Sequence, residues 1–367
     1  MQFTINRDAL LKPLQMVSGA IERRHTLPIL SNVLIEVSDT QLSLTGTDLE
    51  VELVATTDAL TIQSAGRITV PAKKLLDICR SLPDGSDIRV QLQGDNCILS
   101  CGKTKFTLST LSAAEYPNLE CWQGEVDIQL SRAQLRKLLD DTAFSMAHQD
   151  VRYYLNGLLF EVDNGAVKAV ATDGHRLALS TLELAGLVAQ QKQIIIPRKG
   201  VLEVMRLLSS DEQVITLSLG QNHIRLTDQS YVFSSKLIDG RFPDYRRVLP
   251  RNSTKLVTSH RSVLKDACTR ASILSNEKYR GVRFTLSNGE LQIVANNPEH
   301  EQAEEIIEVE YQGDPLEIGF NVGYVLDVLN TLTTDLVLLH LNDANSSALL
   351  EGVGNQGASY VVMPMRL

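Results

Sequence analysis

Short runs of alternating apolar and polar residues fill most of the chain, and between them lie stretches with apolar residues three and four apart. The alternating runs predict strands and the other stretches predict helices. They follow one order of events, and that order occurs three times. Each copy opens on a short strand and a helix, with helix caps at Asn6, Ser131 and Ser259 ahead of residues 10–14, 135–139 and 263–267. Ser131 with Gln134 fits a capping box, in which each side chain satisfies a free backbone donor. Pro13 has no N–H and should kink or delay the first helix. A hairpin comes next, with its first strand at 32–37, 157–162 and 281–286 and its turn at 38–40, 163–165 and 287–289. Asn164-Gly165 and Asn288-Gly289 are strong turn signals because both residue types accept positive φ. The returning strands end at Asp48, Asp173 and Asn296, which are 125 and 123 residues apart.

The second half of each copy repeats as well. A strand running into a helix occupies 69–76, 195–202 and 319–326, and an alternating strand closes each copy at 106–109, 233–236 and 360–363. Phe106, Phe233 and Tyr360 are spaced by 127 each time. The chain therefore divides into three copies, 1–124, 125–253 and 254–367. Two helices and many short strands per copy make an α+β class, with helices gathered on one side of antiparallel sheets. Three such units in a row form an arc, and two chains would close a six-domain ring.

Composition adds limits. Apolar residues make up 43% of the 367, enough for real cores. No apolar run approaches the roughly 20 residues of a membrane helix. The first residues lack a charged start followed by an apolar stretch, so no signal peptide is expected and the location is cytoplasmic. Cys79, Cys97, Cys101, Cys121 and Cys268 form no CxxC pair and no zinc spacing, which suits plain core or surface residues. The net charge of −9 argues against general nucleic-acid binding unless the cations are segregated. The helices carry many of them: Arg132, Arg136 and Lys137; Arg261, Lys265 and Arg270; Lys73, Lys74 and Arg80; Arg198, Lys199 and Arg206. The last helix, 322–332, carries none. Acids gather instead at Glu299, Glu301, Glu304, Glu305, Glu308 and Glu310, opposite in sign to Lys103 and Lys105 around a strand in the first copy. A basic edge and an acidic segment could join head to tail, although charge also simply guards exposed edges.

Six segments in order then carry a resemblance: Leu27-Pro28-Ile29-Leu30, Gly46-Thr47-Asp48-Leu49-Glu50, the run 148–157, the run 171–177, the run 239–245 and the terminal Met363-Pro364-Met365-Arg366-Leu367. The sequence resembles, end to end, the β subunit of bacterial DNA polymerase III, the replicative sliding clamps. The resemblance implies three tandem clamp domains in a head-to-tail homodimer ring, with helices lining the inner face and sheets outside. It implies an encircled, non-specifically bound DNA duplex, no cofactor, no membrane, and a cytoplasmic, nucleoid-associated location. Its implied partners are a clamp loader, replicative and translesion polymerases, mismatch-repair proteins and ligase, docking through peptide motifs. The implied peptide pocket falls on Leu155, Thr172, Gly174, His175, Arg176, Leu177, Pro243, Arg247, Val248, Asn321, Tyr324, Ser347, Val361, Val362, Met363, Pro364, Met365 and Arg366. DNA contacts map onto Arg24, Gln149, Tyr153 and Tyr154, joined by the helix cations Lys73, Arg80, Arg198 and Lys199. The implied dimer contact sets Phe106 and Leu108 against Ile273 and Leu274, with Lys74, Lys103 and Lys105 facing Glu299, Glu301 and Glu304.

Arg176 and Arg247 are expected to meet acidic or polar peptide groups, and the methionines to adapt to varied partners. Two rivals stand against this reading. An enzyme could use Asp173 with His175, or His148 with Asp150, but no nucleophile elbow, phosphate loop or metal spacing accompanies them. Asp173 also has repeat counterparts, which suits a turn residue capping backbone donors. A protein-binding scaffold without DNA is the second rival, favoured by the acidic charge and opposed by the repeated basic helices.

Overall fold

The computed structural model describes every residue except 23–26, 59, 118, 120–121, 164, 186, 188–190, 355–356 and 367. In the first copy the order is β1 (Gln2–Asn6), α1 (Arg7–Val17), β2 (Asn32–Val37), β3 (Leu42–Thr47), β4 (Val51–Thr57), β5 (Leu60–Ser64), β6 (Gly66–Pro71), α2 (Ala72–Ser81), β7 (Asp87–Gln93), β8 (Asn96–Cys101) and β9 (Thr104–Ser109). The second copy holds β10 (Val126–Ser131), α3 (Arg132–Asp140), β11 (Gly157–Asp163), β12 (Ala166–Thr172), β13 (Arg176–Glu183), β14 (Lys192–Pro197), α4 (Arg198–Leu207), β15 (Val214–Leu219), β16 (His223–Thr227) and β17 (Tyr231–Lys236). The third holds β18 (Lys255–His260), α5 (Arg261–Ser272), β19 (Gly281–Ser287), β20 (Glu290–Asn296), β21 (Gln302–Glu308), β22 (Leu316–Asn321), α6 (Val322–Thr331), β23 (Leu336–Leu341), β24 (Ala348–Gly352) and β25 (Ala358–Val362).

Two compact units contain these elements: residues 1–133 with 202–237, and residues 134–201 with 238–367. The middle copy contributes to both. The first unit has a five-stranded sheet, β5-β1-β7-β8-β9, and an eight-stranded sheet, β10-β15-β16-β17-β4-β3-β2-β6. The second has the eight-stranded β14-β11-β12-β13-β25-β24-β23-β18 and the four-stranded β21-β20-β19-β22. Every pairing is antiparallel, and each eight-stranded sheet is continuous across two copies: β17 pairs β4, and β25 pairs β13.

Periodicity explains the packing. In β19 alternate residues are buried, so one face meets the core. In α5 Leu264, Ala267, Cys268 and Ala271 are buried, at the spacing that puts them on one helical stripe. Val325, Val328 and Leu329 do the same in α6. Burial pushes the thiols up, Cys79 to about 11 and Cys97 and Cys268 to about 12, so they stay protonated and unreactive at neutral pH. Cys101 is half-buried, and Cys121 lies outside the described residues. Among the described residues no helix is long and apolar enough to cross a membrane.

Four local expectations need correction. Pro13 does not delay α1, which starts at Arg7 and carries Pro13 buried in its interior. Asn6 caps that helix through Asp8 N–H, but Ser259 caps nothing: α5 begins at Arg261, its cap residue is His260, and the Ser259 hydroxyl donates to the His260 carbonyl instead. Of the third hairpin's Asn-Gly pair only Gly289 takes positive φ; the second pair's Asn164 lies outside the described residues. The counterpart of Asp48 and Asp173 is Asn297 rather than Asn296. Asp48 accepts the N–H groups of Glu50 and Val51, and Asp173 those of His175 and Arg176. In the third copy Asn297 accepts Glu301 N–H, because the turn there is one residue longer.

Gly46 on β3 shows how tightly the first copy is packed. A Cβ there would sit 2.5 Å from the Val17 carbonyl oxygen at the end of α1. Backbone cannot swing aside, so Gly46→Ala is expected to destabilise the first unit by about 1–3 kcal/mol. A lower melting midpoint in calorimetry would register it, with the Gly165→Ala turn variant as a separate reference for glycine effects.

Candidate functional site

The second unit places most of the sequence-derived pocket residues around one turn. Thr172 closes β12 and Arg176 opens β13. The Thr172 hydroxyl donates to the Arg176 carbonyl at 2.6 Å and accepts Gly174 N–H at 3.1 Å. Gly174 has φ +88°, a conformation that calls for glycine, while a Cβ there would meet only the movable end of Arg152, its guanidinium, at 2.9 Å. The His175 ring is stacked on Tyr324 of α6, with centroids 6.3 Å apart and an interplanar angle of 17°. The chain end returns over this turn: Met363 N–H donates to the His175 carbonyl, and Met365 N–H to the Gly319 carbonyl on β22.

Beneath the turn is an apolar cluster in which Leu155, Leu177 and Val361 are buried with Leu159, Val170, Ile195, Phe242 and Tyr245. Val362 is buried in the third copy's core, against which Tyr324 packs. Leu155, Leu177, Val361 and Val362 would therefore floor the expected pocket. The exposed rim is Pro243, Val248, Met363 and Arg366, with Pro364, Met365 and Ser347 partly buried. Buried Glu161 accepts from Arg246 and Gln193, each at 2.5 Å, and ties down the turn 245–247 that leads into Val248. Burial and the adjacent Glu161 carboxylate push the Tyr245 phenol up to about 12.

One pocket residue departs from expectation. Arg176 is not free to meet a peptide carboxylate, because its guanidinium is spent on Asp173 at 3.0 Å, on the Phe144 carbonyl at 2.9 Å, and on Asp327. Asn321 caps α6 by accepting Gly323 N–H at 2.9 Å. Arg247 does remain available: its side chain is 86% exposed, with one contact to Asp244 at 3.0 Å. Sequence reasoning missed Asp327 and Phe144. The signal for Asp327 was its place three residues after Tyr324 on one helix face.

The DNA candidates are less uniform. Lys73 and Arg80 are exposed on α2 and, among the described residues, form no ion pair. Gln149 sits at φ +57° in a loop braced by two hydrogen bonds between Asn156 and Asp150. Arg152 clasps Asp150, holding that carboxyl at about 2, and Tyr153 packs edge-on to Tyr154 with centroids 5.7 Å apart. Arg198 is half-buried and donates to the Met146 carbonyl. Lys199 is half-buried too, and Arg24 lies outside the described residues. The wider stripe of helix cations is largely spoken for: Arg132 pairs with Asp228 and Asp211, Arg136 with Asp140, Lys137 with Asp141, Arg206 with Glu203, and Arg270 with Glu305. Arg261 donates to the carbonyls of Leu329 and Thr334. Arg261 apart, these cations pair with acids one helical turn away or on adjoining elements, which sequence spacing alone had not weighed.

Most interface candidates lie at two sheet edges, with Lys74 on α2 and Ile273 and Leu274 after α5. Strand β9 ends the five-stranded sheet, with Phe106 half-buried, Leu108 buried, and Lys103 and Lys105 exposed. Strand β21 ends the four-stranded sheet, with Glu301 and Glu304 exposed and Glu299 in the preceding turn. Ile273, just past α5, is 75% exposed, and Leu274 is half-buried. Among the described residues Lys74, Lys103 and Lys105 pair with no acid of this chain.

Comparison with known proteins agrees along the whole length. The family descriptions of the DNA polymerase III beta subunit match in three parts: the N-terminal domain over residues 1–120, the central domain over 129–244 and the C-terminal domain over 246–366. The beta sliding clamp of Proteus mirabilis is 54% identical, and that of Escherichia coli K12 52% identical, each over the full length of both chains. The crystal structure of the DNA polymerase III subunit beta from Pseudomonas aeruginosa superimposes with a TM-score of 0.98 at 53% identity, covering all of both chains. The same P. aeruginosa clamp has been solved bound to griselimycin, again with a TM-score of 0.98 at 53% identity over all of both chains. The chain belongs to the DNA polymerase III beta subunit family, the beta sliding clamps.

Proposed function

We propose that two copies of this chain close head to tail into a ring that encircles duplex DNA, slides along it without reading sequence, and holds polymerases, a clamp loader and repair proteins to it through the pocket around His175 and Tyr324. One observation supports closure above the others. The two junctions between copies are made by the same strand pair, β17 with β4 and β25 with β13, which leaves β9 and β21 as the counterparts without a partner strand. Phe233 lies opposite Leu53, and Tyr360 opposite Ala178. Leu53, Ala178 and Ala303 hold matching places, opposite Gly46, Ala171 and Ala295. By the same register a closed ring would set Phe106 opposite Ala303 of a second copy, and Lys105 opposite Glu304, an oppositely charged cross-strand pair. The register also keeps Phe106 and Leu108 on the face that β21 buries.

The same site argues for tethering over catalysis. Asp173 spends its carboxylate on two backbone donors and Arg176, and Asp150 spends its own on Arg152, so neither is poised as a base. Phosphate contacts from residues such as Lys73, Arg80 and Tyr153 would position the duplex without selecting sequence. Such contacts weaken steeply with salt, whereas a closed ring leaves only by opening or by running off an end. Loaded protein should therefore stay on nicked circular DNA at 0.5 M salt, roughly a hundredfold longer than on the same DNA after linearisation. Gel filtration of the loaded complex before and after restriction cleavage measures this, and equal loss from both forms would overturn encirclement.

A further inference from the structure

We infer that Asp327 on α6 is a positioning residue for peptide binding: through Arg176 it ties the helix bearing Tyr324 to the β12–β13 turn and sets the width of the pocket. The inference rests on the pocket reading above and adds a residue that touches no peptide.

The Arg176 side chain is 12% exposed and reaches into both walls. Its Nε donates to Asp173 at 3.0 Å on the turn, its Nη2 to the Phe144 carbonyl at 2.9 Å, and its Nη1 to Asp327. The guanidinium carbon lies 4.7 Å from the Tyr324 ring centroid and 5.4 Å from that of Phe144. A planar cation with directional donors is suited to such a joint, since it stacks and pairs at once. Asp173 and Phe144 hold Arg176 to the turn side, whereas Asp327 holds the α6 side. Tyr324 and Asp327 are three residues apart, so the carboxylate and the ring share one helix face. The ring therefore meets both His175 and Arg176, with Asp327 holding the arginine in place. The Tyr324 phenol is raised chiefly by burial, then by the Asp173 charge, and the Arg176 and Asp327 charges act on it in opposite directions.

The test uses full-length protein, a fluorescein-labelled clamp-binding peptide of a replicative polymerase, and 3-fluorotyrosine placed at position 324. Asp327→Ala should weaken the peptide about fivefold, shift or broaden the Tyr324 fluorine resonance, and leave the melting midpoint and the dimer unchanged, as the carboxylate is half-exposed. The double variant with Arg176→Gln should bind no more weakly than Arg176→Gln alone, because both changes break one joint. Wild-type affinity in Asp327→Ala, or additive losses with an unmoved fluorine signal, would overturn the strut while leaving the pocket standing. A wild-type protein that fails to bind the peptide would instead overturn the pocket reading, and the strut with it.

Discussion

Phe106→Asp is expected to turn the dimer into monomers, raising its dissociation constant roughly a thousandfold, about 4 kcal/mol. Phe106 is half-buried on the edge strand β9, and the proposed ring would set it against β21 of a second copy. An aspartate there would enter an apolar strip with no partner, and an unpaired buried charge costs several kcal/mol. Glu301 and Glu305 alternate onto the same face as Ala303, so repulsion adds to desolvation. The fold of the single chain should survive, because β9 remains paired with β8 on its other side. Sedimentation velocity at micromolar protein reads the outcome directly. A variant that still sediments as a dimer would show that the β9 edge is not where copies meet. Loss of retention on circular DNA should accompany monomer formation, since an open arc cannot trap a duplex.

Deleting residues 363–367 is expected to weaken the binding of a partner peptide about a hundredfold while leaving the dimer intact. The segment supplies Met363 at the exposed rim, and its backbone donors at Met363 and Met365 fasten it to His175 and Gly319. Removing it opens the floor at Leu155, Leu177 and Val361 to water on one side and takes away the adaptable thioether wall. Strand β25 keeps all its residues, Ala358–Val362, so the pairing with β13 is preserved. Neither β9 nor β21 is touched. Fluorescence anisotropy with a labelled peptide measures the loss, and unchanged affinity would place peptide recognition elsewhere.

The repeat gives the two junctions within the chain different linings. At the first junction the equivalent backbone bond is Lys236 N–H to the Glu50 carbonyl, matching Met363 to His175. The floor residues Leu177 and Val361 are replaced there by Glu52 and Ser234. Burial raises the Glu52 carboxyl, and its oxygen accepts Leu119 N–H at 3.0 Å, so this junction is filled by its own chain. One scaffold thus makes a polar seal in one place and an apolar lining in the other.

Much of this was legible in the chain itself. Alternation located the strands because successive side chains in a strand face opposite ways, and three- and four-residue spacing located the helices because that is one turn. Repetition of those signals at matched intervals dictated the three copies, and the turn carboxylates Asp48 and Asp173 marked their hairpins. What spacing could not reach was contact between residues far apart in sequence. The capture of Arg176 by Asp327 spans 151 positions, and that of Arg132 by Asp228 spans 96. Local pattern records which face a side chain takes, since that follows from backbone geometry within a few residues. Whether a cation is free for DNA or a peptide depends on which acid the folded chain brings beside it, and only the tertiary structure decides that.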